Sequence, residues 1–173
     1  METNQCSLCG APVTPESRTH LYEESGVPNV YLQGVEFAEC KACSDFQISI
    51  PHVAKVHQAL SLAIVKSPRL LTGSQLRFLR NHVELSRDQF AKYLGVDAAE
   101  VANWELGNLV PIGQSVDRLV RLLVVTLDKS LAEFAPSIAS QISEIMNKTG
   151  DDVQFHIDVA SLTFSHGFVK RAA

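Results

Sequence analysis

The four cysteines of the chain form two Cys-x-x-Cys pairs, Cys6/Cys9 and Cys40/Cys43, with none left over. Each pair can place two thiolates on one tight turn, and two such turns supply the ligands of a closed tetrahedral site. We therefore expect one structural Zn²⁺ held by these four cysteines. The alternative is two disulfides, which need an oxidising compartment that nothing in the sequence indicates.

Targeting signals and membrane segments are not expected. Residues 1–10 lack the basic stretch and apolar core of a secretory signal, so a cytoplasmic location is expected. The most apolar stretch, Leu119 to Leu127, is interrupted by Arg121 and is shorter than the roughly 20 residues that span a bilayer. A formal charge of −4 argues against indiscriminate polyanion binding but allows a local basic face.

Turn residues between the cysteine pairs predict a strand hairpin. The cluster Ser25 to Asn29 separates Leu21-Tyr22 from the apolar run Val30 to Leu32, which fits a zinc ribbon. Pro51 then suits the first turn of a helix, and Ser67-Pro68 ends it. The helix stripe is predicted to contain Val53, Val56, Leu60 and Ile64.

Three capping boxes predict three short helices after this break. They are Thr72 to Gln75, Ser86 to Gln89 and, with aspartate as the cap, Asp97 to Glu100, so helices should begin near residues 73, 87 and 98. Gly95 lies where a left-handed residue allows a sharp turn between the second and third helices. The small Ala91 allows those two helices to cross closely.

This arrangement is typical of a DNA-binding helix-turn-helix, and a purely structural helical bundle is the alternative. At the start of the third helix, Ala98 and Ala99 can contact thymine methyl groups, and Asn103 can pair with adenine. Arg87 and Lys92 are the candidate phosphate contacts. Asp97 and Glu100 oppose this interpretation, because they place negative charge where phosphates would approach.

Arg80 and Glu105 are predicted to form an ion pair. It would tie the first helix of the predicted helix-turn-helix to the end of the third. If the pair is partly buried, its loss costs more than the roughly 0 to 1 kcal/mol of a surface pair.

Several segments together resemble the MqsA/YgiT-type zinc-finger antitoxins and their regulator relatives. The segments are the two cysteine pairs, residues 26–32, residues 71–80 and residues 104–107, and the resemblance covers about residues 1–125. It implies an N-terminal zinc domain able to bind a toxin and a dimeric helix-turn-helix of the Cro/CI or Xre class that represses its own operon. It also implies base contacts at Ala99 and Asn103. Relatives often carry arginine at the position of Asn103. Asn103 therefore departs from the family pattern, and this departure bears on sequence preference and affinity.

The C-terminus continues some 45 residues beyond this resemblance. Helical spacing joins Leu131, Phe134, Ile138, Ile142 and Ile145, with Pro136 starting a new helix. Residues 153–159 alternate apolar and polar side chains as a half-buried strand does. That strand needs a partner, which is the N-terminal region, residues 162–164 or a second subunit. Dimerisation is favoured, and completion of the chain's own core is the alternative.

The expected fold is α+β: a zinc ribbon with its trailing helix over residues 1–66, a helix-turn-helix domain over 67–128, and a helix-strand extension over 129–173. The leading function is a homodimeric transcriptional repressor that binds an inverted-repeat operator. An enzyme is not expected, because four cysteines close the metal site and no nucleophile has an evident base. A metal- or redox-responsive regulator and a protein-interaction adaptor remain as alternatives.

Overall fold

A strand hairpin connects the two cysteine pairs, as predicted. The computed structural model describes residues 5–107 and 112–169 of the chain, and it is a mixed α/β structure with a strand-rich N-terminal region. Strand β1 (Pro15–Leu21) pairs antiparallel with β2 (Val30–Glu39), and β3 (Phe46–Ser49) pairs with the end of β2. The hairpin thus carries the chain from the first cysteine pair to the second.

The strands near the C-terminus complete the same sheet. Strand β6 (Val153–Asp158) lies parallel to β2, and β7 (Phe164–Phe168) pairs antiparallel with β6. The order is β1-β2-β6-β7, with β3 beside β2. The predicted alternation in β6 is confirmed, since Val153, Phe155 and Ile157 are buried. Both partners of this strand come from its own chain, whereas the sequence favoured a second subunit.

Helix α1 (Val53–Val65) packs on the sheet, and its C-terminal half is almost completely buried. The predicted stripe residues Val56, Leu60 and Ile64 are fully buried. Val53 is 42 % exposed and does not belong to the stripe. Pro51 lies in a turn just before the helix, because His52 adopts a left-handed conformation at the N-cap.

Four helices follow: α2 (Gly73–His82), α3 (Arg87–Leu94), α4 (Ala98–Glu105) and α5 (Gln114–Leu127). The predicted starts at 73, 87 and 98 are confirmed, as are the capping boxes of Thr72 and Ser86. The third box is wrong, because Asp97 makes no side-chain capping bond. Its backbone carbonyl instead accepts the N–H of Glu100 at 3.0 Å, so the amide that the box required is already satisfied.

The segment between α1 and α2, residues 67–71, is fixed from two sides. Strand β4 (Arg69–Leu70) pairs with β5 (Met146–Thr149). The fully buried Arg121 donates to the carbonyls of Val65 at 2.8 Å and Ser67 at 2.7 Å, and also to that of Arg69. The carbonyl groups of Val65, Ser67 and Arg69 therefore share one specific hydrogen-bond donor.

Helix α6 (Ala135–Gln141) follows a 3-10 helix at Lys129–Phe134, and Pro136 lies in its first turn as predicted. Leu131 and Ile138 are buried. The predicted helix stripe does not continue to Ile145, because a short 3-10 helix at Ile142–Glu144 leads directly into β5. Pairing with β4 accounts for this extended backbone.

Buried apolar residues of the sheet, α1 and the helices that follow form one continuous cluster. The members of this cluster from the three short helices are Leu76, Leu79, Phe90, Ala91, Leu94, Val101 and Trp104, and Val83 is partly buried at its margin. Among the described residues, no helix has the length and apolar character needed to span a bilayer.

Candidate functional site

The two cysteine pairs form turns with the same backbone pattern. In the first, Gly10 donates its N–H to the carbonyl of Cys6 at 2.9 Å, and Cys6 donates to Ala11 at 2.8 Å. In the second, Ser44 donates to Cys40 and Cys40 donates to Asp45, both at 2.8 Å. The residue after each pair is left-handed, with φ of 72° at Gly10 and 59° at Ser44. The two turns are therefore equivalent supports for cysteine side chains.

The four sulfur atoms meet where the two turns face each other. All of them lie within 4.8 Å of one another, and the contacts between turns are 3.6 Å for Cys6/Cys43 and 3.5 Å for Cys9/Cys40. A disulfide would bring two sulfurs to about 2.05 Å, so these are free thiols. The cluster could bind a metal ion, as the sequence predicted.

The pKa values of the cysteine thiols in the cluster shift in opposite directions. At Cys9 and Cys43 a backbone hydrogen bond acts to lower the pKa, but the neighbouring cysteine sulfurs and burial outweigh it, and the pKa of both thiols is raised. Backbone N–H groups of Cys43 and Ala42 point at Cys40 and lower its pKa to about 7. Gln47 of β3 donates to the Ser7 hydroxyl at 2.7 Å and thereby joins the first turn to the sheet. Thiolates this close repel one another unless a cation lies between them, so the arrangement suits a bound metal.

The predicted DNA-contacting residues lie on or near α3 and α4. Ala99 and Asn103 are exposed and lie one turn apart on the same face of α4, whereas Ala98 is half-buried and packs against the core. Lys92 is exposed on α3. Arg87, at the start of α3, has 48 % of its side chain exposed. Ala99 and Asn103, the positions at which the resemblance implies base contacts, are thus both exposed, whereas Ala98, the other predicted thymine contact, is only partly accessible.

The predicted ion pair of Arg80 and Glu105 is present, and Arg87 joins it. Arg80 donates to the Glu105 carboxylate at 2.5 and 3.2 Å, and Arg87 donates at 2.8 Å. The Glu105 side chain is completely buried. Burial acts to raise its pKa, but hydrogen bonds and charge from the two arginines outweigh burial and lower it. Arg87 therefore has a structural partner in addition to its exposed surface.

A broad groove on the strand-rich region was not predicted. Its volume is about 1020 Å³, and Phe37, Phe46, Glu39 and Lys41 contribute to its lining. The Phe46 side chain is 68 % exposed. The alternation of Phe46 and Ile48 with polar residues just after the second cysteine pair was the available signal for β3.

The buried pair of Asp117 and Arg121 was also missed. Arg121 donates to Asp117 at 2.7 Å, and Asp117 accepts the backbone N–H of Leu71 at 2.7 Å. Their four-residue spacing in a predicted helix was the available signal. The pair holds the connection between α1 and α2 in place.

No family model, curated protein or solved structure matches this chain.

Proposed function

We propose that this chain is a zinc-containing, homodimeric repressor in which α3 and α4 form a DNA-binding helix-turn-helix. The observation that carries the proposal is the exposed pair Ala99 and Asn103 on α4, directly after a turn at the left-handed Gly95. A short helix packed across a second one, with polar and small side chains facing solvent, fits the DNA major groove. The resemblance to the MqsA/YgiT-type regulators supports the same function.

In this proposal α4 reads bases and α3 positions it. The Asn103 amide can donate to and accept from the major-groove edge of adenine, while the Ala99 methyl group can contact a thymine methyl. Lys92 and the exposed part of Arg87 contact phosphates, which adds affinity but little sequence information. An AT-containing half-site is the expected preference, and half-sites should recur about 34 Å apart in an inverted repeat.

We assign the four-cysteine cluster to one structural Zn²⁺. A tetrahedral set of thiolates from two turns is the typical structural zinc site, and it leaves no coordination position for substrate. The metal would hold the two cysteine turns together at the end of the hairpin. This assignment agrees with a regulatory rather than an enzymatic role and with a reducing, cytoplasmic location.

The decisive experiment measures binding to DNA from upstream of the chain's own gene and to a scrambled duplex, across a salt series. Specific binding should be lost in Asn103→Ala and retained in Asn81→Ala, a matched change on the exposed surface of α2. Equal, weak and steeply salt-dependent binding to both duplexes would contradict the proposed sequence-specific repressor.

Zinc content tests the metal assignment separately. We expect one Zn²⁺ per chain and four titratable thiols after denaturation with a chelator under non-reducing conditions. The variant Cys40→Ser should bind zinc much more weakly, because three thiolates leave the site open. Recovery of two disulfides instead of four thiols would exclude a zinc site.

The second candidate function is recognition of a partner protein by the strand-rich region. The groove beside the exposed Phe46 favours it, and a toxin is the partner that the resemblance implies. Exposed aromatic side chains in a concave surface are typical of protein interfaces. A partner protein that co-purifies from native cells with the wild-type chain but not with Phe46→Ser would support this role.

A metal- or redox-responsive regulator is tested by a different measurement. Operator affinity that changes with metal loading would favour that function.

A further inference from the structure

A cavity lies between α1, α2 and the turn at residues 25–26, which belongs to the connection from β1 to β2. Its volume is about 240 Å³, just below the roughly 300 Å³ at which pockets begin to hold drug-sized ligands. Neither the four cysteines nor the predicted DNA-contacting residues line it. This α1–α2 cavity therefore has the size of a site for a small ligand and has no role in the proposed repressor function.

One side of α2 supplies most of the polar lining. Ser74, Arg77 and Asn81 follow one another at intervals of three and four residues, so their side chains share one line of the helix. Phe78 and His82 lie beside them with the same spacing. The described residues that line the cavity include one guanidinium and no carboxylate. A negatively charged ligand is therefore favoured.

Three rings form an aromatic wall of the cavity. The Phe78 ring packs edge-on against His57 with 5.6 Å between centroids, and it stacks on His82 at 6.1 Å with 12° between the planes. A hydrogen bond of 2.9 Å joins the Tyr22 hydroxyl to His57 Nε2, and one of 2.8 Å joins His82 Nε2 to the Asp128 carboxylate. Both imidazoles are thus held in place before a ligand arrives, and such preorganisation lowers the cost of binding.

Arg77 and Asn81 have hydrogen-bond donors to spare. Arg77 Nη2 donates to the Glu105 carbonyl at 3.0 Å, which anchors the guanidinium. Within the described part of the chain, nothing accepts a hydrogen bond from Arg77 Nε and Nη1 or from the Asn81 amide. A phosphate group suits these donors, because it forms short, charge-assisted bonds with guanidinium and has three terminal oxygens where a carboxylate has two.

We propose that the α1–α2 cavity binds a small organic phosphate. The phosphate group contacts Arg77 and Asn81, and the organic group lies along the rings of His57, Phe78 and His82. The inference goes beyond the proposed function and does not depend on it, since the cavity is distinct from the residues assigned to DNA and zinc. Binding is measured without DNA.

The test titrates the full-length, zinc-loaded chain with phenyl phosphate and, separately, with inorganic phosphate at constant ionic strength. Isothermal titration calorimetry measures the affinity, and changes in backbone amide NMR shifts locate the site. We expect phenyl phosphate to bind about tenfold or more tightly than inorganic phosphate, because its ring buries apolar surface against the aromatic wall. The largest shift changes should fall on α2 and at Gly26.

A matched pair of arginine variants tests the charge. Arg77→Gln should weaken binding of phenyl phosphate by about tenfold or more, since it removes a hydrogen bond to a charged group. Arg18→Gln removes the same charge from an exposed arginine of β1 that does not line the cavity. Screening by salt should keep its effect on the affinity below about twofold.

A second pair leaves Arg77 unchanged. Ser74→Glu places a carboxylate at the cavity that repels phosphate, while a negative charge in the first turn of α2 favours the helix dipole and keeps the fold. Ser74→Gln has the same length without the charge, and it should bind phenyl phosphate about tenfold or more tightly than Ser74→Glu. Wild-type circular dichroism of both variants separates loss of the site from misfolding.

Four results would overturn the inference. They are no binding of phenyl phosphate, equal affinity for inorganic phosphate, an affinity that Arg77→Gln and Ser74→Glu leave unchanged, and shift changes that fall outside α2 and the turn at residues 25–26. The last result would show that phosphate binds elsewhere on the chain.

Discussion

A β-carbon on Gly73 would overlap the backbone carbonyl oxygen of Trp104 and lie only 3.0 Å from that of Glu105. The first residue of α2 thus packs directly against the end of α4. The positive N-terminus of one helix meets the negative C-terminus of the other, which is a favourable arrangement of their dipoles. Arg77 adds a hydrogen bond from α2 to the Glu105 carbonyl at 3.0 Å.

We expect Gly73→Ala to lower the free energy of unfolding by about 3 kcal/mol or more, since backbone rather than a flexible side chain must move. Urea denaturation followed by the fluorescence of Trp104, the single tryptophan, measures this loss. Gly113→Ala is the matched control, because Gly113 has an ordinary φ of −64° and open space around it. Equal effects of the two changes would show that the α2–α4 contact is looser than described.

Arg80→Ala should destabilise the chain by about 3 to 5 kcal/mol, because it leaves the buried Glu105 carboxylate without its closest partner. Arg87→Ala should cost only about 1 kcal/mol or less, since half of the Arg87 side chain is in solvent. Urea midpoints of the two variants, measured side by side, give the comparison. A melting temperature unchanged by Arg80→Ala would remove the ion pair as a source of stability.

Acid should weaken the fold through His166 before any carboxylate titrates. Burial lowers the pKa of His166. The hydrogen bond from its Nε2–H to the Ala63 carbonyl acts to raise the pKa, whereas the charge of Arg121 lowers it further. The unfolded chain, with a histidine pKa of about 6.5, therefore binds the proton more readily. Stability should be complete above about pH 6.5 and fall as the pH drops below it toward the lowered pKa.

The variant His166→Gln keeps a side-chain N–H for the Ala63 carbonyl but cannot be protonated. Its free energy of unfolding should change less than that of the wild type between about pH 6.5 and 5. His57, whose pKa burial also lowers, leaves part of the dependence in place. Identical pH profiles for variant and wild type would contradict the assignment to His166.

The two cysteine turns offer a matched pair of substitutions. Ser44 adopts a left-handed conformation that glycine adopts without strain, so Ser44→Gly should be neutral or stabilise the chain by up to about 1 kcal/mol. Gly10→Ala places a side chain in the same conformation in the other turn and should destabilise by about 1 kcal/mol. Zinc-retention assays with a competing chelator report both effects, and the opposite order would contradict the equivalence of the turns.

Local features were predicted well because their bonds join residues close in sequence. The capping boxes at Thr72 and Ser86, the turn at Gly95 and both cysteine turns depend on contacts within about five residues. The third cap failed although its residue types fit. The Glu100 N–H donates to the backbone carbonyl of Asp97 rather than to its side chain. Residue types alone cannot distinguish these two acceptors.

The sequence by itself determined the four-cysteine cluster, the helix starts and the Arg80–Glu105 pair. Only the tertiary structure decided that β6 lies beside β2 and that Arg121 fixes the segment after α1. These features depend on contacts between residues more than 50 positions apart, such as Val30 with Phe155. Alternating or helical apolar spacing shows that a surface will be buried, but the covering partner is chosen by the packing of the whole chain.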